Sequence, residues 1–70
     1  MNANLLRSKI MEKGYSNIEF AELIGIKKTA LYRKLKGITE FKASEIQKIS
    51  KALDLTNSQI IDIFFVQNVS

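Results

Sequence analysis

Glycines at positions 14, 25 and 37 cut the first half of this chain into short segments. Each segment is roughly ten residues long and carries apolar residues at helical spacing. No stretch alternates with a period of two for long enough to argue a strand. The chain has 70 residues and no cysteine, histidine or proline. Its length predicts one small domain spanning residues 1–70. The missing side chains exclude disulfides and thiolate metal sites. They also remove the commonest general base and the commonest metal ligand.

Leu6, Ile10 and Met11 recur at helical spacing, with Asn4 as the expected cap and Gly14 as the stop. They predict a helix at about 4–13. Ser16-Asn17-Ile18-Glu19 reads as a capping box. Phe20, Ala21, Leu23 and Ile24 follow it up to Gly25, giving a helix at about 17–24. A third helix, at about 28–36, runs to Gly37. The fourth, at about 42–53, has a stripe of Ile46, Ile49 and Leu53, with Ala43 and Ala52 at tight spots. Leu55-Thr56 breaks it. A second capping box, Thr56 to Gln59, opens a helix at about 57–65 with Ile60, Ile61 and Phe64 available for burial. Phe65-Val66-Gln67 is also compatible with an extended end. The expected class is therefore all-α, with five short helices and short connections.

At 46% hydrophobic residues the chain can build a core. No apolar run approaches the ~20 residues of a membrane span. The start, Met1 to Arg7, lacks the pattern of a signal peptide, so the expected location is cytoplasmic.

The formal net charge is +4. It is unevenly placed. In residues 1–26, Arg7, Lys9 and Lys13 balance Glu12, Glu19 and Glu22. Residues 27–42 hold Lys27, Lys28, Arg33, Lys34, Lys36 and Lys42 against Glu40 alone, a net +5. Residues 43–70 sum to −1. The whole excess falls on the third helix and the loop behind it, which points to an anionic partner.

That helix has two faces. Leu31 and Leu35 share one side, with Ala30 near its edge. Thr29, Tyr32, Arg33 and Lys36 cluster opposite, and Lys28 projects from the start. A helix fits the major groove of DNA, where Arg and Lys favour guanine and Thr or a ring edge meets the thymine methyl.

Residues 5–65 resemble the phage repressor and Cro-type helix-turn-helix family, and small prophage-encoded members in particular. Phe20, Ala21, Ile24, Gly25, Ile26, Leu31 and Gly37 carry the resemblance, with Ile46/Ile49/Leu53, Thr56 and the tail Ile60 to Phe65. It implies a compact five-helix lambda-repressor-like domain, with the helix-turn-helix formed by helices 2 and 3. It also implies that Ala21 allows a close helix crossing, that Gly25 takes a positive φ, and that operator DNA is bound by a dimer.

Two departures stand out. Lys34 occupies a position that is usually apolar, and is expected to snorkel from the core margin or face solvent. Ile10 and Leu35 replace a buried Arg–acid pair, and are expected to touch.

Lys28, Thr29, Tyr32 and Arg33 are the expected base contacts. Asn17, Lys27, Lys36 and Lys42 are the expected phosphate contacts, which position rather than specify. Phe65 and Val66 are the candidate dimer contact. Tyr15, Phe20, Phe41 and Phe64 are expected in the core or an interface. The carboxylates stand singly, with no phosphate loop and no metal spacing, so no enzyme, metal or cofactor is expected. The expected partners are double-stranded DNA and a second copy of the chain, with no membrane. The competing reading is a protein-interaction or antitoxin-like module on the same fold.

Overall fold

Helix limits are set by short-range hydrogen bonds. The fold is described by a computed structural model over residues 1–65. It contains α1 (Ala3–Glu12), α2 (Asn17–Ile24), α3 (Lys28–Leu35), α4 (Ala43–Ala52) and α5 (Asn57–Phe64), and no strand among the described residues. Ser16 Oγ accepts from the Glu19 amide at 3.1 Å, and the Glu19 carboxylate accepts from the Ser16 amide at 3.0 Å. Thr56 and Gln59 repeat this box at 3.1 and 2.9 Å. At α4 only the acidic half exists: Glu45 accepts from the Lys42 amide at 2.8 Å.

The cap of α1 is Asn2 rather than Asn4. Its side chain accepts from the Leu5 amide at 3.1 Å. Its own amide donates to the Ile63 carbonyl at 2.7 Å, which ties the helix start to α5. Asn4 is thereby placed inside the first turn, where it has no capping role.

Four helices end alike. The amides of Tyr15, Ile26, Ile38 and Leu55 reach back to the carbonyls of Ile10, Ala21, Arg33 and Ser50. The preceding residues, Gly14, Gly25, Gly37 and Asp54, all have positive φ. This is the Schellman arrangement, and it satisfies carbonyls that a helix end leaves free.

The core gathers Leu6, Ile10, Phe20, Ala21, Ile24, Leu31, Leu35, Ile49, Leu53 and Ile63. Tyr15, Ile26, Phe41, Leu55 and Phe64 pack around it. Tyr15 lies against Phe20 and Phe41 against Phe64, with ring centroids 6.0 and 5.8 Å apart. α2 packs on both α3 and α4, and α1 on α5. Ile10 and Leu35 are both buried in this one cluster.

Several apolar residues fall elsewhere than expected. Met11, Leu23 and Ala43 are exposed, and Ile46 is half-buried. On α5 Ile63 is buried, Ile60 and Phe64 are half-buried, and Ile61 is exposed. At 100° per residue Ile61 points about 200° away from Ile63, so one helix cannot bury both against one core.

Lys34 is the main correction. It neither faces solvent nor sends its head outward. Only 8% of it is exposed. Its ammonium lies 3.0 Å from Glu45 Oε1 and donates to the Glu40 carbonyl at 2.9 Å. A buried charge is tolerable when paired and hydrogen-bonded, and α4 supplies the partner.

Candidate nucleic-acid interface

The outer surface of α3 is created by what its inner surface buries. Leu31 and Leu35 turn into the core at 1% and 3% exposure. The helical period then leaves Thr29, Tyr32, Arg33 and Lys36 outside, all exposed. Lys28, the first residue of the helix, is exposed as well.

The angle at which α3 is presented is fixed by α2. Gly25 has φ 78°, a left-handed value that a Cβ would strain. Ala21 on α2 is buried at 1% exposure. Both features agree with the resemblance.

Asn17, Lys28, Thr29, Leu31, Tyr32 and Arg33 line one open concavity of about 300 Å³. Its lining carries two cations, two hydroxyls and an amide. The four expected base contacts and one expected phosphate contact are thus brought together.

The other expected phosphate contacts, Lys27, Lys36 and Lys42, lie outside that concavity, and all three are exposed. Lys27 stands at the start of α3 and Lys36 just past its end. Lys42 precedes α4. The Lys36 ammonium lies 4.6 Å from the centroid of the Tyr32 ring. It holds the phenol below its ordinary pKa, and Arg7 of α1 adds to the same field. Tyr32 is therefore an exposed ring in a cationic setting, half its surface open at 53%. Arg7 extends the positive surface onto α1. Its sequence segment is neutral overall, which hid this contribution.

Phe65 is exposed and lines a separate groove with Met1, Phe41, Ile46 and Phe64. Val66, its expected companion, lies outside the described residues. Among the described residues no acidic group gathers into a metal site. No described helix is long and apolar enough to cross a membrane.

Sequence reasoning missed Glu45. Burial pushes its carboxyl up. The Lys42 amide and the Lys34 ammonium outweigh that, so its pKa lies below the ordinary value. Its capping relation to Lys42 was legible in the i, i+3 spacing. Its pairing with Lys34 depends on how α4 folds back onto α3.

Comparison with protein families gives one match: a model described as helix-turn-helix covers residues 6–59. Neither a curated protein nor a solved structure matches with significance. The matched span runs from α1 into α5 and includes α2, the Gly25 turn and α3. Among the described residues, the order of five helices without strands fits a lambda-repressor-like fold. The chain belongs to the helix-turn-helix family, a family of DNA-binding regulators.

Proposed function

We propose that this chain is a sequence-specific transcriptional regulator of the phage or prophage repressor kind. A dimer binds a near-palindromic operator with α3 of each copy in the major groove. The observation that supports this most is the coincidence of charge and shape. The +5 of residues 27–42 lies on and beside α3. The same helix forms the rimmed concavity.

Lys28 and Arg33 donate to base edges, and Thr29 and Tyr32 meet apolar base edges such as the thymine methyl. Asn17, Lys27, Lys36 and Lys42 hold phosphates and set the register. Phe65, exposed beside the also exposed Ile61, is offered as a dimer contact. Two copies would then span successive major grooves, about 34–36 Å apart. Occupying the operator blocks polymerase.

Selection of bound duplexes from a random library tests the whole reading. It should return a near-palindrome whose half-sites lie one turn apart. Binding should weaken steeply with salt as neutralised phosphates release counterions. Arg33→Ala should cost about 1–3 kcal/mol and relax preference at one base pair. Lys42→Ala should weaken all sequences alike and lower the salt slope.

The exposed Ile61 and Phe65 also suit a second reading, a module that binds another protein. Absence of any shift with random DNA at low salt would favour it.

A further inference from the structure

Lys34 and Glu45 are not themselves expected DNA contacts, yet they join two parts of the proposed DNA surface. Lys34 lies on α3 next to Arg33, an expected base-reading cation. Glu45 lies on α4, whose first turn is preceded by Lys42, an expected phosphate anchor. One carboxylate oxygen, Glu45 Oε1, accepts both the Lys34 ammonium at 3.0 Å and the Lys42 backbone amide at 2.8 Å. The same ammonium donates to the Glu40 carbonyl at 2.9 Å and lies 5.7 Å from the Phe41 ring centroid. Both side chains are 10% exposed. The loop between α3 and α4 is thereby fastened at Glu40, at Phe41 and at Lys42.

We infer that Lys34 and Glu45 are positioning residues that set which bases α3 reaches when Lys42 sits on a phosphate. The inference rests on the DNA-binding reading above. An ion pair with directed hydrogen bonds fixes distance and direction, whereas apolar packing tolerates small slides. A pocket for a lysine head needs its carbonyl, its carboxylate and its ring at once. Loosening it frees the phosphate anchor from the reading helix. Contacts to phosphate then survive, but in more than one register. Discrimination between sequences falls further than general affinity.

The test compares binding to a library-selected site with binding to random duplex of equal length. Fluorescence anisotropy reads both. The temperature is one at which circular dichroism shows every variant folded. Glu45→Gln keeps an acceptor for the Lys42 amide but removes the charge. Lys34→Met/Glu45→Gln removes both charges and leaves no buried ion unpaired, so it protects the test against unfolding. Both variants should lose roughly tenfold in the ratio of selected to random binding, a typical size for a residue acting through a packed network. Arg33→Ala serves as the control that loses a direct contact. A ratio unchanged in both folded variants would overturn the inference and leave DNA binding intact. Failure of the unmodified protein to bind duplex at low salt would remove the DNA reading, and this inference with it.

Discussion

The two joints of α3 are built on opposite principles. The joint to α2 is short and apolar. It consists of the Gly25 turn and of Phe20, Ala21, Ile24, Leu31 and Leu35 in the core. The joint to α4 is longer and polar. It spans residues 36–42 and is held by Lys34, Glu45 and the Glu40 carbonyl. Apolar burial is non-directional and contributes most of the stability. A buried ion pair contributes little net stability against an apolar replacement. The first joint therefore holds the domain together, and the second sets geometry.

The comparison can be broken most severely at the apolar joint. Phe20→Ala should cost about 3–5 kcal/mol through lost burial and a residual cavity. Leu35→Glu should be comparably severe, because it places an unpaired carboxylate in the core. Chemical denaturation measures both, and an unchanged midpoint for Leu35→Glu would disprove the packing of that residue.

At the polar joint Lys34→Met should cost roughly 3 kcal/mol, because it strands the Glu45 charge. Lys34→Met/Glu45→Gln should cost clearly less than Lys34→Met alone. Equal costs would mean that the two side chains do not depend on each other.

Next is the turn. Gly25→Ala should cost about 1–2 kcal/mol from the left-handed backbone. The space itself is tolerable, since the nearest atom to a new Cβ would be Lys48 Nζ at 3.5 Å.

The polar joint also predicts an acid limb. Glu45 is held below its ordinary pKa, so its folded state binds fewer protons than its unfolded state near that value. Its contribution is complete above the unfolded value of about 4.3 and is lost as pH falls through the lower folded value. Glu45→Gln should make melting less sensitive to pH in that window. Part of the limb should remain, because the Ser16 amide holds Glu19 low as well.

The smallest expected effect is a gain. Asp54 takes a positive φ of 52° where the other three helix endings of this kind use glycine. Asp54→Gly should stabilise by about 0.5–1 kcal/mol, visible as a raised melting temperature.

The all-α class and the five helices were legible in the sequence, because caps, glycines and apolar spacing are local signals. So was the outer face of α3, since Leu31 and Leu35 fix it by period alone. Which apolar residues reach the core was less legible. Met11 and Ile61 are apolar neighbours of residues that face inward, but the turn angle carries them outside. Lys34 was misread for a different reason. Its residue type favours solvent, and only the approach of Glu45 across the fold makes burial tolerable. Arg7 was missed because charge was counted along the chain, whereas the field at Tyr32 sums over space.

The repeated helix ending bears on how the chain folds. The reach-back bonds of Tyr15, Ile26, Ile38 and Leu55 each close within a few residues. So do the capping bonds at Asn2, Ser16, Lys42 and Thr56. Among the described backbone bonds outside the helices, only Asn2 to Ile63 joins distant parts of the chain. Contacts this local favour folding in microseconds to milliseconds. The signals that set each helix's limits therefore lie within its own stretch of chain. Helices this short still need packing against one another to persist, and the clasp of Asn2 on Ile63 waits for α5.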